Sequence, residues 1–218
     1  MDNSEIFKHI DHTALKPILT WAEVETLCHE AIRYSAASVC VPPNYVRRIR
    51  ETFGDQLTIC TVIGFPLGYS TTETKLSETR QALAEGADEV DMVVNLTDVK
   101  DGLFFQVTQE IKKLKEATGD KILKVIIETC YLTEEEKIAL CHAVTEARAD
   151  YIKTSTGFGT AGAKIEDIEL FKKHIGPEVK IKAAGGIRTR EDLELFIRAG
   201  CSRIGTSSAI KLLTSDQG

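Results

Sequence analysis

The stretch YIKTSTGFGT, residues 151–160, joins a short strand-like run to a turn rich in glycine, serine and threonine. Lys153 stands in the run just before the turn. Lysine is strongly hydrated and is rarely buried without a partner. Residues 150–155 therefore predict a strand. Its Lys153 either extends to solvent or places its amine in a functional site.

Similar strand-like runs recur on both sides of this stretch, separated by segments that are predicted to be helices. They are SVCV (38–41), LTICTVIG (57–64), EVDMVVN (89–95), KILKVIIE (121–128), VKIKAAG (179–185) and SRIGTS (202–207), with IDHTAL (10–15) as a candidate eighth. Short β–α units predict a parallel sheet, and eight units close a barrel. No G-x-G-x-x-G follows the first run, which weakens the alternative of an open dinucleotide-binding sheet. We therefore predict an α/β fold, a single (β/α)8 TIM-barrel domain over residues 1–218.

Capping signatures and glycines mark the expected helix ends. A Thr or Ser is followed three residues later by an acid at Thr20 and Glu23, Ser70 and Glu73, Thr133 and Glu136, and Thr189 and Asp192. Glycines expected to close helices are Gly54, Gly86, Gly119, Gly176 and Gly200.

Composition narrows the class of partner. The net charge of −6 argues against nucleic acid as the main binding partner, although a small anionic substrate needs only a local positive pocket.

The six cysteines form no C-x-x-C pair and are expected to be buried thiols of a reducing compartment. The N-terminal MDNSEIFKHI is unlike a secretory signal, and no apolar run reaches the roughly 18 residues of a membrane span. We expect a cytoplasmic protein without membrane contact.

Charged residues fall on the side of the strands that should face the barrel interior. Side-chain alternation puts Val179, Ile181 and Ala183 on one side of their strand and the lysines on the other. Charges inside the barrel cost folding free energy unless they form ion pairs, so unpaired ones are expected to have a function. The residues predicted to face inward include Asp91, Asn95, Lys124, Glu128, Lys153, Lys180 and Lys182.

Two lysines close together would favour an amine nucleophile. A free lysine has a pKa of about 10.4, so its neutral form is scarce at pH 7. A neighbouring ammonium and partial desolvation lower that pKa, and lowering it by about 3 corresponds to roughly 4 kcal/mol. Spacing alone leaves open which of Lys153 and Lys182 would attack. Asp91 is the candidate for proton transfer.

Two late glycine-rich stretches predict a phosphate site. AAGGIR (183–188) and GTSSAIK (205–211) follow the seventh and eighth strands, where barrels frequently bind phosphate. Backbone amides and hydroxyls there would face an anion, from Gly185, Gly186, Gly205, Ser207 and Ser208.

Metal chemistry is less favoured, because only His12 lies at a strand end and no metal-ligand spacing is present. Two alternatives remain open. A metal-dependent epimerase or aldolase would lose its activity to a chelator. A sugar-phosphate sensor on the same barrel would bind its ligand without turnover.

Taken together, these motifs resemble the deoxyribose-phosphate aldolases, a family of class I aldolases that act through a Schiff base. The resemblance runs through IDHTAL, SVCVPP, GFPLG, GADEVDMVVN, LKVIIET, ADYIKTSTGF, KAAGGIRT and GTSSA in order. It implies reversible cleavage of 2-deoxy-D-ribose 5-phosphate to D-glyceraldehyde 3-phosphate and acetaldehyde, without metal or cofactor. It also implies a homodimer or homotetramer.

The resemblance assigns roles to single residues. Lys153 would be the nucleophile, Lys182 the lysine that lowers its pKa, and Asp91 the proton donor and acceptor working through water. Asp11 would support Lys182, and Cys40 would be a core residue first and an aldehyde-reactive thiol second. Gly157 and Arg188 would join the phosphate site.

Two features depart from some family members. Phe158 stands where some have a lysine, so one phosphate contact would be missing. Some members also end in a tyrosine that reaches the site, whereas this chain ends LLTSDQG. The proton relay would then depend more on Asp91 and water.

Overall fold

Eight parallel strands close into a barrel in the computed structural model, which describes residues 1–214. Each strand pairs with the next along the chain, and β8 returns to β1. The (β/α)8 barrel predicted from the sequence is confirmed. The strands are β1 (Ile10–Thr13), β2 (Ser38–Val41), β3 (Ile59–Ile63), β4 (Glu89–Val93), β5 (Ile122–Ile126), β6 (Tyr151–Lys153), β7 (Lys180–Ala184) and β8 (Arg203–Thr206).

Helices surround the barrel, and two 3-10 turns, Pro43–Tyr45 and Thr129–Tyr131, lie in its connections. The helices are α1 (Asn3–Phe7), α2 (Trp21–Tyr34), α3 (Val46–Phe53), α4 (Thr72–Ala84), α5 (Leu96–Lys100), α6 (Phe104–Thr118), α7 (Glu134–Glu146), α8 (Ile165–His174), α9 (Arg190–Ala199) and α10 (Ala209–Thr214). The C-terminal residues 215–218, which include the end of the LLTSDQG stretch, lie outside the described residues.

Capping boxes begin three of these helices as predicted, at Thr20, Thr133 and Thr189. The Ser70 prediction was wrong by one residue. Thr71 is the N-cap of α4, because its backbone is extended and its side chain accepts the amide of Thr74.

Glycines follow the helix ends less uniformly than predicted. Gly54, Gly119 and Gly200 are C-caps, whereas Gly86 comes one residue after the cap of α4. Helix α8 ends without a left-handed glycine, because Ile175 already takes up an extended conformation ahead of Gly176.

On the strands that carry charged residues inside the barrel, such as β4 and β7, apolar and charged side chains lie on opposite faces. On β4, Val90 and Met92 pack in the main hydrophobic core, between barrel and helices, while Asp91 points into the barrel. On β7, Ile181 and Ala183 face that core and Lys182 alternates with them. The apolar layer holds the helices on the barrel and leaves the interior to polar groups.

Two residues predicted to face inward do not. Lys180 is exposed at the start of β7, and its ammonium lies 5.8 Å from the ring centre of Tyr151, because strand starts open to solvent. Asn95 lies beyond the end of β4, and its side chain caps α5 by accepting the amide of Thr97.

The cysteines are all free thiols, and among them only Cys130 is not fully buried. Across residues 1–214, no helix is both long and apolar enough to cross a membrane.

Candidate active site

A single buried carboxylate, Asp91, binds three lysines inside the barrel. Its Oδ2 accepts hydrogen bonds from Lys153 at 2.8 Å and from Lys182 at 2.7 Å. Its Oδ1 accepts one from Lys124 at 2.8 Å. Because Lys153 and Lys182 bind the same oxygen, their ammonium nitrogens lie closer together than the sum of those two distances. The structure thus brings the predicted pair of lysines together.

Two further carboxylates complete this cluster below Asp91. Asp11, at the start of the barrel on β1, forms ion pairs with Lys182 and Arg203 and lies 3.7 Å from Lys124. Glu89 binds Lys124 at 2.6 Å and Arg203 at 2.7 Å. Asp11 therefore contacts Lys182, as the sequence resemblance implied.

The cluster holds more positive than negative groups. Four cations, Lys124, Lys153, Lys182 and Arg203, meet three carboxylates, Asp11, Glu89 and Asp91. Lys124 contacts all three carboxylates and Lys182 contacts two, whereas within residues 1–214 Lys153 has an ion pair with Asp91 alone. Lys153 is therefore the lysine of this cluster that is held by the fewest carboxylates.

Burial and neighbouring charge act in opposite directions on the other groups. Burial would raise the pKa of Asp91, but Lys124, Lys153 and Lys182 outweigh it and hold that pKa well below its usual value. Burial would lower the pKa of Lys182, but the carboxylates of Asp11 and Asp91 raise it above its usual range. Lys182 is therefore a permanent cation beside Lys153.

These pKa directions predict acid sensitivity of the fold. The pKa values of Asp91 and Asp11 are lower in the folded than in the unfolded chain, since buried cations outweigh their desolvation. Their contribution to stability is complete above about pH 5 and is lost progressively as the pH falls below about 4. Urea unfolding between pH 3 and 7 measures the fall. Added salt should change it little, because buried pairs are poorly screened, and constant stability down to pH 3 would contradict this prediction.

An open cavity of about 810 Å³ lies over Lys153 at the C-terminal ends of the strands. Lys153 is the cluster member that reaches its wall. All of the predicted phosphate residues line the same cavity: Gly157, Gly185, Gly186, Arg188, Gly205, Ser207 and Ser208. The cavity can therefore hold a molecule that contacts the amine at one point and these loops at another.

Glycine is required at particular positions in these loops. Gly185 and Gly186 have φ values of 79° and 76°, in the left-handed region that side chains rarely adopt. A Cβ on Gly205 would lie 3.2 Å from Cε of Lys182. Gly205 thus makes room for the lysine as well as lining the cavity.

Cys40 and Cys60 lie beside Asp91, opposite each other on β2 and β3. The Cys60 thiol donates to Asp91 Oδ1 at 3.1 Å, and burial raises the Cys60 pKa well above its usual value. The side-chain interaction with Cys60 lowers the pKa of Cys40. Ligand atoms of both cysteines and Asp91 lie within 4.8 Å of one another, but a metal ion there would face the lysines bound to Asp91.

His12, the histidine at a strand end, also lines the cavity, where its Nε2 lies 2.8 Å from a carboxylate oxygen of Glu30.

The sequence did not predict that Glu89 and Arg203 belong to the charged cluster. Side-chain alternation along β4 could have predicted Glu89, because it lies two residues before Asp91 and therefore on the same face of the strand. Nothing in the sequence links Arg203 with residues so distant along the chain.

Comparison with known proteins identifies the family. The profile of the DeoC/LacD family aldolases matches residues 3–213. The chain belongs to the DeoC/LacD aldolase family. This membership confirms the resemblance seen in the sequence motifs.

Individual members of the aldolase family are similar over their full length. The deoxyribose-phosphate aldolase of Clostridium botulinum (strain Alaska E43 / Type E3) is 64% identical, with 100% of this chain and 98% of that protein covered. That of Clostridioides difficile (strain 630) is 56% identical, with 97% and 96% covered. The solved tetrameric deoxyribose phosphate aldolase of Aeropyrum pernix is 32% identical with a TM-score of 0.89, covering 100% of this chain and 93% of that one.

Proposed function

We propose that this chain is a class I aldolase that reversibly cleaves 2-deoxy-D-ribose 5-phosphate to D-glyceraldehyde 3-phosphate and acetaldehyde. The observation that carries the proposal is the position of Lys153. It lines the cavity and shares one Asp91 oxygen with a second, permanently charged lysine. The names of the full-length relatives support the substrate.

Lys153 acts as the nucleophile in this proposal. Its neutral amine attacks the C1 aldehyde of the open-chain sugar, and uptake of one proton with loss of water gives a protonated imine. A base removes the proton of the 3-hydroxyl, the C2–C3 bond breaks, and its electron pair moves into the imine to give an enamine. Glyceraldehyde 3-phosphate leaves, the enamine is protonated at C2, and water releases acetaldehyde and the free amine.

Asp91 and Lys182 support this chemistry from below the cavity. Asp91 binds Lys153 directly and moves protons between the amine, a water molecule and the reacting carbon. Lys182 keeps its charge because Asp11 and Asp91 raise its pKa, so Lys153 reacts beside a permanent cation that shares its Asp91 oxygen. Asp11 holds Lys182 in place, and Cys40 lies in the core beside the cluster.

The phosphate group is bound by the loops after β6, β7 and β8. The phosphate can come close to the backbone at four glycines without side chains: Gly157, Gly185, Gly186 and Gly205. Ser207 and Ser208, which carry hydroxyls, line the same wall of the cavity. Arg188 adds a cation, which suits a phosphate dianion. The ring of Phe158 packs edge to face with that of Phe65, with 5.4 Å between the ring centres. A lysine at this position would instead add a positive charge.

The wider setting follows the same proposal. We place residues 1–218 in one catalytic domain, which is consistent with a family match over residues 3–213. A homo-oligomer is supported by the tetramer of the Aeropyrum pernix relative. Cytoplasmic location is supported by the free thiols, since disulfides are rare in reducing compartments.

Turnover and trapping by the purified protein test the function. We expect release of acetaldehyde from 2-deoxyribose 5-phosphate, unaffected by a chelator. Borohydride added with acetaldehyde should fix an ethyl group on Lys153, located by peptide mapping. Chelator-sensitive turnover would favour the metal-dependent alternative, and binding without turnover would favour the sensor.

A further inference from the structure

Glu128 is a buried carboxylate that the proposed mechanism does not use. It lies just beyond β5 and is 2% exposed. Its backbone has φ 53° and ψ 65°, a left-handed conformation that is uncommon for residues other than glycine. Strain of this kind is found at ligand clamps and active sites, where the surrounding structure holds it.

The carboxylate binds the loop that follows β6. Oε1 of Glu128 accepts the backbone N–H of Thr156 at 3.1 Å, and Oε2 accepts the Thr156 hydroxyl. The Thr156 oxygen in turn accepts the N–H of Phe158 at 3.0 Å. Glu128 thus holds Thr156 directly, and the Thr156 hydroxyl holds Phe158. These two residues end the segment Thr156–Phe158, which we call the β6 loop.

The β6 loop has little freedom to take another position. A Cβ on Gly159 would lie 2.7 Å from Cys130 Sγ and 3.1 Å from Cδ of Glu128, so backbone and carboxylate are closely packed. Thr156, Gly157 and Phe158 all line the cavity over Lys153. Movement of Glu128 would therefore move the cavity wall.

We propose that Glu128 is a positioning residue that holds the β6 loop in the geometry needed to receive the phosphate end of the substrate. This role rests on the proposed function. It acts through hydrogen bonds to Thr156, so the shape of the acceptor group matters more than its charge. The amine chemistry at Lys153 does not depend on it.

Glu128→Ala tests the role by separating phosphate recognition from chemistry. We expect kcat/KM for 2-deoxyribose 5-phosphate to fall about 30-fold, mainly through KM, because the two hydrogen bonds that hold Thr156 are lost. With unphosphorylated 2-deoxyribose, kcat/KM should change less than about threefold. Borohydride trapping of acetaldehyde on Lys153 should be as fast as in the wild type.

A conservative variant and two controls complete the experiment. Glu128→Gln can still accept the Thr156 amide and can donate to its hydroxyl oxygen, so it should restore most of the phosphate preference. Arg188→Ala supplies a reference for direct loss of a phosphate contact. Glu116→Ala, exposed on α6, should behave as wild type. Should Glu128→Ala fail to fold, Thr156→Val removes the hydroxyl partner and should show the same loss of preference.

Several results would overturn the positioning role. Equal losses with both sugars, or no loss with either, would do so. A Glu128→Gln variant as impaired as Glu128→Ala, with slowed trapping, would instead assign Glu128 a charge effect on Lys153. A wild-type protein inactive on both sugars would overturn the proposed function. Failure of the proposed function is thus distinguished from failure of the positioning role.

Discussion

Replacing Lys153 with methionine is expected to abolish Schiff-base trapping and to lower kcat at least about 10⁴-fold, because the nucleophile is gone. Methionine keeps most of the aliphatic volume, so the barrel is not left with a large void. Steady-state assay and borohydride trapping with acetaldehyde measure the two effects.

The same variant should be at least as stable as the wild type. The cluster sets four basic side chains against three carboxylates, and Lys153→Met removes the lysine with a single ion pair, so that three basic groups still face three carboxylates. Lys180→Met is the matched control, since this lysine lies on a neighbouring strand but is exposed at its start. The control should retain full activity. Normal turnover in Lys153→Met would exclude Lys153 as the nucleophile, and marked destabilisation would contradict the charge argument.

Asp91→Asn is expected to damage stability and activity together. The substitution leaves Lys124, Lys153 and Lys182 without the carboxylate that they share. Leaving buried charges unpaired costs about 3–5 kcal/mol, so the free energy of unfolding should fall by that amount. Proton transfer is also lost, and we expect kcat to fall at least about 10³-fold.

Urea unfolding and steady-state assay of Asp91→Asn test this expectation. Asp120→Asn, at an exposed position before β5, serves as the control and should match the wild type in both. If Asp91→Asn kept wild-type stability, the ion pairs of Asp91 with the three lysines would not contribute to the free energy of unfolding. If it kept wild-type turnover, proton transfer would have to be assigned to another group.

The sequence predicted the barrel well because its signal is local. Each strand is a short apolar run, and alternation along VKIKAAG or EVDMVVN shows which side chains share a face. That was enough to place Asp91, Lys153 and Lys182 inside the barrel. It was not enough at strand ends, where Lys180 and Asn95 lie outside the closed interior.

The pairing pattern inside the barrel could not be predicted. It depends on strand register and stagger, which bring Arg203 of β8 against Glu89 of β4 across the interior. The Glu128 contact with Thr156 likewise joins the loops that follow β5 and β6. In both cases the partners are far apart in the chain, and only the closed barrel makes them neighbours.

The charged interior also affects how the protein responds to heat. The hydration of charged groups becomes less favourable as temperature rises, so burying an ion-pair network costs less in hot than in cold solution. The stabilisation from aliphatic packing instead levels off. A barrel filled by Asp11, Glu89, Asp91 and their cations therefore holds a larger share of its stability in ion pairs on warming, and the groups that we propose for catalysis belong to this network.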